Sequence, residues 1–224
     1  MFGAIAGRYD FLNHFLSANV DRRWRRICVK ETEKRMPMHR PRILDIGCGT
    51  ADLSLAFSGL GLVFGCDFCH PMLRLGADKI AATDTPERVF LLEADALNLP
   101  FADASFDVTV SAFVLRNLAD IDSGFREMRR ILRPGGVLGV LEFGMPRIPF
   151  LAPLYRWYFL RILPKLGRLI SGVEGPYGYL PASVQEFPPV EELKDKAEQA
   201  GFVNVEYRLL TAGIAILLTG EAGR

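Results

Sequence analysis

Gly47 and Gly49 stand in the string RILDIGCGTADLSLAF, where a short apolar run passes straight into a helical pattern. Two glycines at such a turn let the backbone approach a ligand without a Cβ in the way, which is the chemistry of a nucleotide crevice. A dinucleotide fingerprint would carry a third glycine where Asp52 stands, and no spare basic residues flank the turn to meet a pyrophosphate. Asp67 ends the next apolar run, 18 residues after Gly49. There an acid accepts hydrogen bonds from both hydroxyls of a ribose. Asp95 ends a third run, LLEAD, where it can add a contact near an adenine edge, and Asp45 sits just inside the first. Strand-end acids without phosphate-binding cations suit an adenosyl ligand that carries positive charge and no phosphate. The plainer reading is that these aspartates only cap helices or end strands.

Such residues need a scaffold that gathers strand ends. From Arg42 onward, short runs rich in Val, Ile, Leu and Phe alternate with helical stretches, the pattern of βαβ units on a parallel sheet. The pattern predicts strands near 42–47, 62–67, 89–94, 106–113 and 137–143, with helices near 52–58, 71–81 and 120–132. Arg133-Pro134-Gly135-Gly136 stops the last of these helices. A helix over 189–200 with Gly201 behind it leads to closing strands near 203–210 and 212–219. Those two are joined too tightly for a crossover and so are antiparallel neighbours in a seven-stranded, mostly parallel sheet. The chain therefore reads as one α/β domain over 1–224: an N-terminal helical cap (1–40), a cofactor-binding half (41–145), a substrate-side insertion punctuated by prolines (146–188), and a closing helix and strands (189–224).

The balance of 27 Lys and Arg against 26 Asp and Glu leaves a net charge of +1, so no global field points to nucleic acid. The longest charge-free stretch, Leu53–Cys66, has 14 residues, short of the roughly 20 a membrane-spanning helix needs. The opening MFGAIAGRYD has none of the parts of a secretory signal, so the sequence reads as cytoplasmic. Cys28, Cys48, Cys66 and Cys69 are too few and too irregular for a disulfide scaffold. Cys66 and Cys69 form a C-x-x-C without a second pair, and His14, His39 and His70 lie at no ligand spacing, so no metal is expected.

The DIGCGT turn followed by Asp67 and Asp95 resembles that of S-adenosylmethionine-dependent methyltransferases. The cationic sulfonium explains the acid-lined site. Longer strings, MFGAIAGRYDFLNHFLS, FVLRNLAD, GYLPASVQEFP and TAGIAILLTG, resemble one family, the C-methyltransferases of menaquinone and ubiquinone biosynthesis, along nearly the whole chain. The resemblance implies a Rossmann-like class I methyltransferase that places one methyl on a ring carbon of a reduced, prenylated quinone. Demethylmenaquinol is the leading substrate. It implies cofactor contacts at Asp45, Gly47, Gly49, Thr50, Asp67, Asp95, Ala96 and Ser111. The family carries its serine one place later, where this chain has Ala112.

Arg116 and Asn117 follow an apolar strand at the end of the sheet where open α/β folds bind ligands. A guanidinium there would stabilise a phenolate or order a water base, and an asparagine would hydrogen-bond the ring oxygen in either protonation state. The plainer reading pairs Arg116 with Asp120 or Asp122. Tyr9, beside Asp10 in the N-terminal cap, is the third catalytic candidate; its alternative is packing with Phe11 and Phe15. Tyr177, Tyr179, Leu180, Pro181 and Phe187 are expected to wall the substrate side. Between Gly124 and Val173 nine Arg or Lys face two acids and are interleaved with aromatics such as Tyr155 and Trp157. That composition suits docking at the inner face of a membrane, or else an amphipathic helix packed on the sheet or a homodimer contact. Competing readings are methylation of a benzoquinol or another small phenol, a cofactor-binding scaffold without turnover, and a nucleic-acid methyltransferase. The last lacks an Asn-Pro-Pro-Tyr type pocket after the fourth strand.

Overall fold

The computed structural model describes residues 19–36, 40–146, 148–149, 151–162, 181 and 183–224. Tyr9, Asp10, Tyr177, Tyr179 and Leu180 lie outside the described residues. Helix α1 (Val20–Glu33) buries Trp24, Cys28 and Thr32, which recur every four residues and so share one face. Then follow β1 (Arg42–Ile46), α2 (Asp52–Phe57), β2 (Leu62–Asp67), α3 (His70–Ala81), β3 (Val89–Glu93), β4 (Phe106–Ala112), a 3₁₀ turn (Leu115–Asn117) and α4 (Ile121–Ile131). The remaining elements are β5 (Leu132–Phe143), α5 (Leu151–Trp157), α6 (Val190–Gln199), β6 (Phe202–Leu210) and β7 (Ala215–Ala222).

The strands form one seven-stranded sheet in the order β3-β2-β1-β4-β5-β7-β6. β1 to β5 are parallel, while β7 runs antiparallel to both β5 and β6. Both faces are covered. Leu44, Ile46, Leu138 and Val140 point to the side of Phe125, Met128 and Leu193, whereas Ile43, Val108, Val137 and Leu141 point to the side of Trp24, Cys28 and Phe57. Alternation with apolar residues on both faces is why these strands read as continuous hydrophobic runs.

Two boundaries move. Helix α4 starts where Asp120 accepts from the backbone N–H groups of Asp122 and Ser123 and ends before the Pro-Gly-Gly stop. Strand β5 nevertheless begins at Leu132, opposite Phe106, and the ladder shifts register before Val108 meets Val137. The last strand starts at Ala215 rather than near 212, because Thr211–Gly213 form a 3₁₀ turn in which Ala212 has φ +60°. Unbroken apolar character through TAGIAILLTG hides that turn.

Candidate functional site

The order β2-β1-β4 places the topological switch point between β1 and β4, and the chain leaves all of these strands at their carboxyl ends. Gly47 and Gly49 have φ +66° and +56° in the turn after β1. A Cβ on Gly47 would lie 2.4 Å from Val114 Cγ2, so the turn requires glycine for space as well as for conformation. Asp67 locks the turn: its Oδ2 accepts from Gly49 N at 2.9 Å, and its Oδ1 accepts from Cys69 N at 2.8 Å. Burial pushes the Asp67 carboxyl above its ordinary value against these backbone donors. With two lone pairs on each oxygen, the carboxylate keeps capacity for a ribose.

Two cavities share Gly47, Gly49, Ala112 and Phe113. The larger, about 390 Å³, is lined by Asp67, Phe68, Met72, Asp95, Ala96 and Asn117 among others. It is the size of small-molecule sites in general. The smaller, about 40 Å³, lies on the other side of the turn against Arg25, Asp45, Thr50 and Asp52. An acid, an exposed aromatic face and a glycine turn on one crevice fit an adenosyl group, and acids without paired phosphate donors fit a cationic one.

Most of the expected cofactor residues converge here, but they do different things. Asp95 holds its own loop through Leu97 N at 2.9 Å while lining the larger cavity with Ala96. Thr50 accepts from Lys79 Nζ at 3.0 Å. Asp45 is 1% exposed, accepts from Ser54 Oγ at 2.6 Å and faces the smaller cavity. Ser111 stands apart from them: its hydroxyl donates to Ile46 O at 3.0 Å, tying β4 to β1, and it lines neither cavity. Its neighbour Ala112 lines both, because alternation along β4 turns the two side chains to opposite faces.

Asn117 lines the larger cavity and donates to Phe113 O at 3.2 Å. Arg116 lines neither. Its Nη1 donates to Glu142 Oε1 at 2.7 Å, both side chains are buried, and the guanidinium lies 5.1 Å from the centroid of Phe143. Pairing with Asp120 or Asp122 is replaced by a partner on β5. Burial lifts the Glu142 carboxyl to about 7 while Arg116 pulls it down. Phe143 stacks on Phe113 at 4.3 Å and also lines a third cavity of about 520 Å³, with Met145, Arg156 and Phe187. Pro181 is buried and lines none of the three cavities.

Sequence reading missed four residues. Phe68, 72% exposed on the rim of the larger cavity, follows the ribose acid directly, a signal within reach of the sequence. Met72 projects from α3 into the same space. Phe113, with φ +63°, sits in a conformation that bulky side chains adopt only at a cost, at the junction of the two cavities beside the glycine turn. Arg25 reaches the smaller cavity from α1, far away in the sequence. The C-x-x-C contributes walls: Cys66 and Cys69 line the larger cavity, and burial pushes the Cys66 thiol up to about 12.

Asp45 gives a pH test. Burial, opposed by Ser54 and Arg25 and reinforced by Asp67, lifts its carboxyl from an ordinary 3.8 to about 7. A raised folded value means that the native state binds the proton more tightly, so this contribution is present below the ordinary value and lost as pH rises through about 7. Asp45→Asn cannot titrate. Its stability relative to the parent, from denaturant midpoints, is expected to rise between about pH 4 and about pH 7 and then level off. A flat difference would place the carboxyl at its ordinary value.

The sequence profile described as the ubiE/COQ5 methyltransferase family matches residues 1–221. The chain is 46% identical over 224 residues to the demethylmenaquinone methyltransferase of Thermus thermophilus, covering 99% of each. It is 43% identical over 225 residues to the ubiquinone/menaquinone biosynthesis C-methyltransferase UbiE of Geotalea daltonii, covering 99% of this chain and 94% of that one. Among solved structures, the complex of the Haloferax volcanii Trm112 methyltransferase activator with its putative methyltransferase partner matches with a TM-score of 0.67 at 21% identity, over 100% of this chain and 98% of that one. A putative S-adenosylmethionine-dependent methyltransferase from Methanococcus maripaludis matches with a TM-score of 0.67 at 20% identity, over 97% and 93%. At those identities the structures speak for the fold.

Proposed function

The chain belongs to the ubiE/COQ5 methyltransferase family, and from that premise we propose that it methylates a ring carbon of a reduced, prenylated quinone, with demethylmenaquinol as its substrate. It is a methyltransferase of Rossmann-like class I fold, and its cofactor is S-adenosylmethionine. The observation that carries the reading is a single cavity with a ribose-type acid, Asp67, on one wall and Asn117 of the family-like LRN string on another. S-adenosylmethionine supplies an electrophilic methyl when bound. Gly47, Gly49, Asp67, Asp95 and Ala96 are proposed to hold its adenosyl part, with Asp45 and Thr50 beside the turn.

The work left to the chain is orientation and exclusion of water. Ionisation of a ring hydroxyl raises electron density at the neighbouring carbon, which is why the reduced ring is the nucleophile. Asn117 is proposed to hold that oxygen. The buried pair of Arg116 with Glu142 pins the turn carrying Asn117 onto β5, so Arg116 is a positioning residue in this reading. Tyr9 is proposed to complete the pocket from the N-terminal segment, on the strength of the resemblance. The third cavity, behind the Phe113 and Phe143 stack, offers room for the first part of a prenyl tail.

Among the described residues no helix is long and apolar enough to cross a membrane. Leu154 and Trp157 on α5 and Ile148 before it are nonetheless 61%, 57% and 48% exposed, next to exposed Arg156 and Arg161. We propose that this face meets an anionic bilayer that holds the substrate. The test offers the protein and S-adenosylmethionine a demethylated naphthoquinone, with and without reductant, short-tailed in solution or long-tailed in anionic vesicles, beside matched benzoquinones. Mass gain on the reduced naphthoquinone alone is expected, and Trp157→Ala should lower only the vesicle rate. Gain on the benzoquinol alone would overturn the ring assignment, and equal loss in both settings would overturn the docking face.

A further inference from the structure

Among the described residues, the third cavity shares no wall residue with the two cavities beside the glycine turn. Two aromatic rings stand between them. Phe113 borders both cavities beside the turn, Phe143 borders the third, and the rings stack with centroids 4.3 Å apart at 28°. Trp24 backs both from α1: it meets Phe143 edge-on at 6.1 Å and Phe113 at 6.3 Å, and its Nε1 donates to Thr211 Oγ1 at 2.8 Å. A guanidinium lies over each ring, Arg25 at 5.5 Å from the centroid of Phe113 and Arg116 at 5.1 Å from that of Phe143.

In this wall the rings, rather than the backbone, have freedom to move. Phe113 lies one residue past β4 and Phe143 is the last residue of β5, so neither side chain is enclosed within a ladder, and both are half-buried. The backbone behind them is fixed: Phe113 N donates to Leu141 O at 2.8 Å, Gly144 N donates to Ile214 O at 2.9 Å, and a Cβ on Gly144 would lie 2.7 Å from Gly213 O. Phe113 holds its ring in place at φ +63°, a conformation whose cost to a bulky residue must be offset by what the ring does there. Asn117 Nδ2 donates to Phe113 O at 3.2 Å, so the wall adjoins the residue assigned to the acceptor's oxygen. On the far side, Met145, Val184, Phe187, Val190, Leu209 and Ile216 give the third cavity, about 520 Å³, the apolar walls that a hydrocarbon chain needs.

An acceptor whose tail fills the third cavity and whose ring carbon meets the methyl donor beside the glycine turn must span this wall. Burial of one isoprene unit contributes more than an aromatic stack of this kind, so the tail supplies enough binding energy to part the rings. We propose that the prenyl chain opens the wall: by filling the third cavity it displaces the Phe143 ring from Phe113 and admits the quinol ring to the methyl donor, so that these two phenylalanines make the enzyme select for a tail. This rests on the quinol reading and adds to it the residues that decide which quinols react. Binding energy from a remote part of a substrate that is used at the reacting centre appears in kcat, whereas a tail that only anchors lowers KM alone.

Kinetics in solution with two acceptors of the same reduced naphthoquinone ring, one carrying two isoprene units and the other an ethyl group, separate these cases. With the parent, kcat is expected to be about tenfold or more higher for the prenylated acceptor, and geraniol, a free two-unit tail, should raise kcat for the ethyl acceptor. Phe143→Ala should raise kcat for the ethyl acceptor, bring the two acceptors within about threefold of each other and remove the response to geraniol, with the affinity for S-adenosylmethionine within about twofold of the parent's. Equal kcat on both acceptors with the parent, the tail altering KM alone, overturns the wall, as does a Phe143→Ala loss shared equally by both. If Phe143→Ala fails to fold, the parent's response to geraniol decides, together with the emission of Trp24 in Trp157→Phe, where it is the one tryptophan left. Geraniol should shift that emission, and an unchanged emission at concentrations that compete with the prenylated acceptor overturns the proposal. Methylation of neither acceptor would remove the quinol reading and the wall with it.

Discussion

Asp67→Ala is expected to lower the affinity for S-adenosylmethionine by about 100-fold or more while leaving the fold intact. The side chain ties Gly49 on one side and Cys69 on the other, so it shapes both loops that border the larger cavity. It is also the acid positioned for the ribose. Hydrogen bonds to an ionised group contribute about 1.5–3 kcal/mol each, and losing two or more gives a change of that order at about 1.4 kcal/mol per tenfold. Stability should suffer less, because the two backbone donors lie near the cavity surface and water can replace the carboxylate. Titration calorimetry beside a denaturant curve measures both. An affinity within about threefold of the parent would move the ribose contact elsewhere, and Glu93 and Asp95 would be the acids to try next.

Arg116→Ala divides the site in the opposite way. Cofactor affinity is expected to stay within about twofold, because Arg116 lines neither cavity beside the glycine turn. Well above pH 7, where Glu142 is forced to ionise, stability should fall by about 3–5 kcal/mol, the usual result of removing one partner from a buried ion pair and leaving the other charge without compensation. At about 2–4 °C per kcal/mol for a chain of this size the melting midpoint drops by at least about 6 °C. Transfer should slow in step with the loosened Leu115–Asn117 turn.

The pH dependence identifies the stranded partner. Arg116 opposes the upward pull of burial on Glu142, so its removal lifts that carboxyl further above its ordinary 4.5. A raised folded value gives a contribution that is present at low pH and lost as pH rises. The gap between parent and variant is therefore expected to be small near pH 5 and to widen through about pH 7 and above. The double variant Arg116→Met with Glu142→Leu should recover most of the stability, since apolar replacements leave no buried charge. Its transfer rate then tells whether the turn or the guanidinium itself matters. Comparable losses of cofactor affinity in Asp67→Ala and Arg116→Ala would end the division between the two halves of the site.

These two residues also show the limits of reading the chain alone. Asp67 was legible because its function depends on local facts: it ends an apolar strand, follows a glycine turn at a fixed distance, and acts through its own loop. The same holds for Gly47, Gly49 and Asp95. Arg116 was legible as a residue that matters and illegible in what it does, because its partner, Glu142, is 26 residues away on the neighbouring strand. The decisive fact is that β5 lies beside β4. The placement of Ser111 away from both cavities was illegible for a smaller reason, a shift of one residue along a strand whose side chains alternate between faces.

By itself, then, the sequence determined the element order, the parallel character of the first five strands, the glycine turn and the acids around it, since all of these follow from periodicity and from residue types at short spacing. Tertiary structure decided the strand order that inserts β7 between β5 and β6, the buried pair of Arg116 with Glu142, and the meeting of Arg25 with Asp45. Which strands become neighbours, and which helix covers which crevice, depends on how apolar faces exclude water together over long sequence separations. No local spacing encodes that, so residues joined by it become visible as one site only when the chain is folded.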